Sequence, residues 1–328
     1  MRKHTPTIVC QHTRTFCVSV GGDVYSFGHN EKNAHGHAEI TIPIPTKISS
    51  LKCINSVCCG HSHTICLDVD GNVFSFGDNT HGQLGKDRQL LKSSFEPQKI
   101  DLPPVKQISS GLYMAVCLLE NGDVYSFGYN GNGQLGLGHF NVNYLPQKIS
   151  SLENIELIET GFDHTFCLNG NGDMYCWGYN GYGQLGVGDL TGYTSPHSHT
   201  GWPKEIIDIK CGDNHSLILT ANQEVYSCGN NYSGQLGREN DNPESNSTSS
   251  VFKKINSLSE ITRIECGIAH SMCIDSYGSF YVFGSNGYGQ LGLGDTNNRH
   301  KTIKHPSLSN IIDISSKGFH SFVKTLNN

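Results

Sequence analysis

Histidine recurs in this sequence at one kind of place. His63, His164, His215, His270 and His320 each close a Gly-x-x-His turn and lead into Ser or Thr, with Lys317 in the glycine slot of the last. Imidazole exchanges a proton near neutral pH and ligates metals as the neutral ring, so acid–base work or a metal centre is the chemistry such a series could do. Thirteen cysteines could add thiolate ligands or disulfides. Gly131-Asn-Gly-Gln-Leu-Gly136 fits the G-x-G-x-x-G phosphate fingerprint, as do residues 181–186 and 287–292.

Spacing argues against all three. The histidines come one to a repeat, which is the distribution of a structural residue bonding a neighbouring turn. Cys10, Cys59, Cys211 and Cys266 sit just before the turn, and Cys17, Cys66, Cys117, Cys167 and Cys273 sit three residues after the histidine slot. Thiols that keep to two slots fill core volume as small hydrophobes. No Cys-x-x-Cys pair of the zinc-site kind is present, and many free thiols fit a reducing compartment. The glycine fingerprint needs a strand before it and a helix after it, whereas turn-like sequence follows each copy here. No nucleophile elbow or His-Glu-x-x-His occurs either. The expectation is a chain without metal, without cofactor and without covalent chemistry of its own: not an enzyme.

The elements that carry these residues are strands. The stretch Gly122-Asp-Val-Tyr-Ser-Phe-Gly-Tyr-Asn-Gly-Asn-Gly-Gln-Leu-Gly136 occurs six times with variations, its strand-closing glycines falling at 28, 77, 128, 178, 229 and 284. A period near 50 residues marks a repeat architecture. Val124-Tyr-Ser-Phe127 and Thr165-Phe-Cys-Leu168 read as strands, Asn-Gly pairs supply turns, and no segment has helical periodicity. About four short strands per repeat make the blade of an all-β propeller.

The pattern Gly-x-Val-Tyr-x-Phe/Trp-Gly-x-Asn-x-x-Gly-Gln-Leu-Gly, then Pro-x-x-Ile, then Gly-x-x-His-Thr/Ser, resembles the RCC1 (regulator of chromosome condensation) repeat over residues 8–326. The resemblance implies an RCC1-like β-propeller. Repeats starting near 23, 72, 123, 173, 224 and 279, with a half repeat at 8–20, lead us to expect one domain over 8–328 behind a loose N-terminus at 1–7. We expect a seven-position ring whose incomplete seventh blade is residues 8–20 and whose termini meet, six blades being the alternative. The aromatic slot, Phe27, Phe76, Phe127, Trp177 and Phe283, should pack between blades. The polar insert 238–250 has no apolar anchor and should be a mobile loop.

Composition narrows the partners. A formal charge of −6 and a pI near 6.3 give no electrostatic footprint for nucleic acid. No run approaches the ~20 apolar residues of a membrane span. We expect a soluble monomer, cytoplasmic with the nucleus as the alternative, whose partner is a protein.

What differs between repeats is the pair of residues inside each turn: His12-Thr13, His61-Ser62, Leu112-Tyr113, Phe162-Asp163, Asp213-Asn214, Ile268-Ala269 and Gly318-Phe319. Aromatics, acids and amides in such a row suit a protein interface. In the family's founding member, a nucleotide exchange factor for the small GTPase Ran, acidic and histidine residues of these turns face the GTPase. The resemblance therefore implies partner contacts by Asp163, Asp213 and His63, to which Phe162, Tyr113, His61, Asn214 and Phe319 are added from the same turns. It implies exchange activity on a small GTPase of the Ras superfamily, as a guanine-nucleotide releasing factor. A non-catalytic adaptor or inhibitor using the same turns, for example in ubiquitin-ligase substrate recruitment, is the alternative. The Ran exchanger's wedge and basic tail have no counterpart here. With only Trp177 and Trp202, the chain also lacks the clustered tryptophans of the family's ultraviolet photoreceptors.

Overall fold

The computed structural model describes residues 7–11, 13–30, 32–238 and 248–326. His12 and most of the polar insert, residues 239–247, lie outside the described residues, as do 1–6 of the expected loose N-terminus. The described residues form strands, turns and bends and no helix.

The first sheet is β1 (Thr7–Gln11), β2 (Arg14–Val18), β3 (Val24–His29) and β4 (Thr41–Lys47). The second is β5 (Ile54–Cys59), β6 (His63–Asp68), β7 (Val73–Asp78) and β8 (Ser93–Ile100). The third is β9 (Val105–Ser110), β10 (Met114–Leu119), β11 (Val124–Gly128) and β12 (Asn143–Lys148). The fourth is β13 (Ile155–Thr160), β14 (His164–Asn169), β15 (Met174–Gly178) and β16 (Tyr193–His197). The fifth is β17 (Ile206–Cys211), β18 (His215–Thr220), β19 (Val225–Asn230) and β20 (Thr248–Lys254). The sixth is β21 (Ile261–Cys266), β22 (His270–Asp275), β23 (Phe280–Gly284) and β24 (Arg299–Lys304). A two-stranded sheet, β25 (Ile311–Lys317) and β26 (His320–Thr325), follows. Each four-stranded sheet is an antiparallel meander in sequence order, the blade of a propeller.

This topology corrects the expected phase. Residues 8–20 are not an incomplete seventh blade: β2 pairs with β3 from Arg14↔Gly28 to Val18↔Val24, which makes them the first two strands of a complete first blade. The sequence repeat begins at a blade's third strand and ends in the second strand of the next. The half unit left over is therefore C-terminal, β25 and β26, after six complete blades.

The chain is organised as two compact units, Met1–Gly178 with Tyr193–His197, and Tyr179–Gly192 with Ser198–Asn328. Within each, the core lies between successive sheets. Phe76 packs with Phe16, Ile48 and Ile54 between sheets one and two. Phe127 does so with Ile65 and Val105 between two and three, and Trp177 with Val116 and Ile158 between three and four. In the second unit Phe283 joins Leu217 and Ile264, and Ile311 and Ile314 pack on Met272 and Phe280. Phe76, Phe127, Trp177 and Phe283 are fully buried, as the aromatic slot requires; Phe27 is half-buried. None of the thirteen cysteines is in a disulfide. Cys66, Cys117, Cys167 and Cys273 are buried, and burial pushes the Cys117 thiol up to about 12.

The glycine closing each third strand is fixed by its backbone. Gly128 has φ +113° at a register shift between β11 and β12, a bulge that side chains rarely tolerate. A Cβ there would sit on the Tyr113 carbonyl oxygen and the Met114 Cα. That close approach puts the end of the third strand directly against the Gly-x-x-His turn.

Candidate partner-binding surface

The turn backbones are held from both sides. In four turns the first variable residue donates its N–H to the carbonyl of its counterpart in the next sheet: in the first unit His61 to Leu112 and Leu112 to Phe162, both at 2.9 Å. In the second unit Asp213 donates to Ile268 at 3.1 Å and Ile268 to Gly318 at 3.0 Å. The second variable residue accepts from the residue after the strand glycine, as in Tyr129 N–H to Tyr113 O at 2.9 Å and Asn230 N–H to Asn214 O at 2.8 Å. With the main chain engaged this way, the variable side chains can differ without changing the turn.

Beneath the turns lie the motif histidines. His63, His164, His215 and His270 are fully buried. The Nε2 of His63 bonds Ser110 Oγ at 2.9 Å, that of His215 bonds Ser271 Oγ at 3.0 Å, and that of His270 bonds Ser321 Oγ at 2.9 Å, each serine lying in the following sheet. The expected partner contact by His63 is corrected on this ground: a ring with no exposed surface fastens one turn to the next and cannot reach a partner. Arg14, in the histidine slot of the first turn, is also buried. Its guanidinium donates to the Gly60, His61 and His63 carbonyls, doing with three bonds what the imidazoles do with one.

Each Asn-x-x-Gly-Gln-Leu-Gly loop is a scaffold rather than a phosphate cradle. Asn130 Oδ1 accepts from Leu135 N–H at 3.0 Å, its Nδ2 donates to His139 O at 2.7 Å, and Gln134 Oε1 accepts from Asn132 N–H at 2.9 Å. The loop then reaches the next sheet. Gln134 Nε2 donates to Asp163 Oδ1 at 2.6 Å and Asn132 Nδ2 to Asp163 Oδ2 at 3.0 Å. Both oxygens of that half-buried carboxylate are held by neutral amides, and no Lys or Arg pairs with it among the described residues. Burial raises its pKa above the usual carboxylate range, and the two amides oppose the rise.

Beside it is an aromatic group. Tyr113 meets His61 at 5.7 Å and His81 at 5.1 Å between ring centroids, and His81 meets Tyr129 at 5.4 Å. Burial, then the charges of Asp78 and Asp163, raise the Tyr113 pKa. Phe162 is half-buried and His61 exposed. The first unit therefore brings His61, Tyr113, Phe162 and Asp163 together on consecutive turns.

In the second unit Asp213 and Asn214 are half-buried, and Gln184 Nε2 donates to Asn214 Oδ1 at 3.4 Å. Phe319 packs on Tyr288 at 5.0 Å.

Sequence reasoning missed the loop residues His81, Asn132 and Tyr288. Each occupies the position directly before the Gly-Gln of its loop and meets the second variable residue of the following turn: His81 with Tyr113, Asn132 with Asp163, Tyr288 with Phe319. The signal was a constant offset of 31 or 32 residues between the two slots.

Comparison with known proteins agrees with this construction. The family model of the Regulator of chromosome condensation (RCC1) repeat matches residues 21–67, 70–118, 121–168, 171–219, 222–274 and 277–323. The chain is 34% identical over 342 residues to the X-linked retinitis pigmentosa GTPase regulator of Canis lupus familiaris, covering 98% of this chain and 33% of that protein. It thus spans about a third of that relative's length. The structure of human WBSCR16 superposes with a TM-score of 0.84 at 25% identity, covering 99% of this chain and 88% of that one. Prp20p of Saccharomyces cerevisiae, described with its binding properties to Gsp1p and histones, superposes with a TM-score of 0.83 at 23% identity, covering 95% and 80%. Six in-register repeats, six four-stranded blades and these likenesses make this chain a member of the RCC1 repeat family, with an RCC1-like β-propeller fold.

Proposed function

We propose that this chain is a protein-interaction module that binds a small GTPase of the Ras superfamily through the turns and loops around Asp163 and speeds release of its guanine nucleotide. The observation that carries the reading is the Asp163 carboxylate itself. Its position is fixed by Asn132 and Gln134, yet its charge is left uncompensated by any cation of its own unit among the described residues. A partner's ammonium or guanidinium would form a charge-assisted hydrogen bond in a place already partly desolvated. Tyr113 and His61 supply the aromatic contact beside it.

A GTPase offers the matching cation. Its phosphate-loop lysine and magnesium ion hold the nucleotide's phosphates, so a rigid carboxylate competing for the lysine weakens nucleotide binding without any covalent step. The name of the dog relative and the Gsp1p binding of yeast Prp20p, which are properties of those proteins, support the choice of partner class.

The test is equilibrium binding to a panel of purified small GTPases, each nucleotide-free and nucleotide-loaded. By linkage, a factor that accelerates release binds the nucleotide-free form more tightly. A preference of tenfold or more, about 1.4 kcal/mol, for the empty form of one panel member is the expected result. Equal affinity for both forms would refute exchange and favour the adaptor or inhibitor reading.

A further inference from the structure

Lysine keeps to one slot on the outer strands. Lys47, Lys148, Lys254 and Lys304 each stand opposite the tyrosine of the third strand, Tyr25, Tyr125, Tyr226 and Tyr281. In three of these blades the residue two before the tyrosine is an acid that pairs with the lysine: Asp23 with Lys47 at 2.7 Å, Asp123 with Lys148 at 2.8 Å and Glu224 with Lys254 at 2.5 Å. The sixth blade breaks the scheme. Its acid slot holds the buried Ser279, and exposed Lys304 pairs with no carboxylate among the described residues. Its ammonium stands over the Tyr281 ring instead, 6.0 Å from the centroid. Lys99, opposite Phe74, also has a neutral residue, Asn72, in the acid slot, but its strand carries Glu96.

The same region gathers positive charge. Among the fourth strands, β20 and β24 carry Lys253, Lys254, Arg299, Lys301 and Lys304 and no carboxylate, whereas the other four together carry three lysines and Glu96. Lysines that only keep blade edges from pairing would be spread evenly over the blades. Glu224 answers Lys254, and Asp295 answers Arg299 at 2.6 Å. His300 lies exposed between Arg299 and Lys301. The turn after β20 rests on β24, with Ser257 Oγ and Thr302 Oγ1 2.7 Å apart, so the two runs of cations lie side by side in the second unit. A chain of net charge −6 repels an anion as a whole and attracts it here.

We propose that β20 and β24 bind an extended acidic segment of a partner protein, with a carboxylate of that segment on Lys304. Charge complementarity selects an anion, and the strand selects a peptide. β24 is the last strand of its meander, so its outer edge sets a line of main-chain N–H and C=O groups beside the cations. A peptide uses both the edge and the charges, whereas a lipid headgroup or a phosphate backbone uses the charges alone. This surface is built from other residues than the one around Asp163 and does not rest on the GTPase reading.

The probe is a fluorescein-labelled peptide of alternating Glu and Ser, long enough to span β24, beside a control with Gln for Glu. Titrated with the full chain, the Glu peptide is expected to bind saturably and the Gln peptide at least tenfold more weakly, about 1.4 kcal/mol. Lys304→Glu, an exposed change, should weaken the Glu peptide by about threefold or more, the scale of one exposed ion pair. Lys148→Glu, at the paired lysine of the third blade, should leave its affinity unchanged. No saturable binding of the Glu peptide, equal binding of the Gln peptide, or equal losses from Lys304→Glu and Lys148→Glu would each overturn the proposal. Tighter binding to phosphatidylserine vesicles or to duplex DNA than to the peptide would assign the charge to a lipid surface or to nucleic acid, and would overturn it as well.

Discussion

Asp163 differs from an ordinary surface carboxylate in that two amides fix it while burial opposes its charge. Two consequences follow at the residue scale. Asp163→Ala leaves the Asn132 and Gln134 donors to water and removes the charge, so partner affinity should fall tenfold or more, with the melting temperature within a few degrees of wild type. Because its folded pKa is raised, the folded chain holds this proton more tightly than the unfolded one. The carboxylate therefore costs stability at neutral pH, the cost eases as pH falls, and partner binding should weaken over that same fall. His270 has the opposite sign. Burial lowers its pKa from 6.5 to about 4, so the unfolded chain takes up the proton first. Stability from this group is complete above about pH 6.5 and is lost as pH falls towards 4, by about 3 kcal/mol in all. Urea midpoints measured from pH 7.5 down to 4.5 should show the fall, and His270→Gln should flatten part of it. The turn residues were legible in the sequence because they interrupt a repeat. His81 and Asn132 were not, because their partners lie one blade further on and the contact exists only once the sheets stack.

At the scale of elements, the strand that ends in Phe127-Gly128 does two jobs. Phe127 fills the space between the second and third sheets, and Gly128 lets the strand approach the turn that carries Tyr113. Phe127→Ala should cost about 3–5 kcal/mol of unfolding free energy; an unchanged melting temperature would refute the core assignment. Gly128→Ala forces a side chain into a left-handed conformation against a carbonyl, at about 1–3 kcal/mol. It should also shift the Tyr113 turn, which amide hydrogen exchange at Tyr129 would report. Strand positions were readable from alternation and the aromatic slot, but their grouping into sheets was not. Val-Tyr-Ser-Phe-Gly opens each repeat in the sequence and yet is the third strand of its blade. The eye counts from the strongest motif, whereas hydrogen bonds count from Thr7, and for that reason residues 8–20 complete the first blade.

For the molecule as a whole, the repeat explains what looked like chemistry. The motif histidines and the slotted thiols recur because blades recur, and His63, His164, His215 and His270 are buried with nine of the thirteen cysteines. With native protein, a thiol reagent should label the exposed Cys53 first and the half-buried Cys17, Cys58 and Cys211 more slowly; the buried Cys66, Cys117, Cys167 and Cys273 should wait for unfolding. Rapid native labelling of those four would contradict the packing described. What remains variable across the blades is the turn-and-loop surface, and the functional claim rests there. The most direct measurement is the release of a fluorescent guanine nucleotide from a panel of small GTPases, with wild-type chain beside Asp163→Ala and Asp213→Ala. The account predicts faster release from one panel member, abolished or reduced at least tenfold by Asp163→Ala. No acceleration from any member, or acceleration that Asp163→Ala leaves intact, would contradict it.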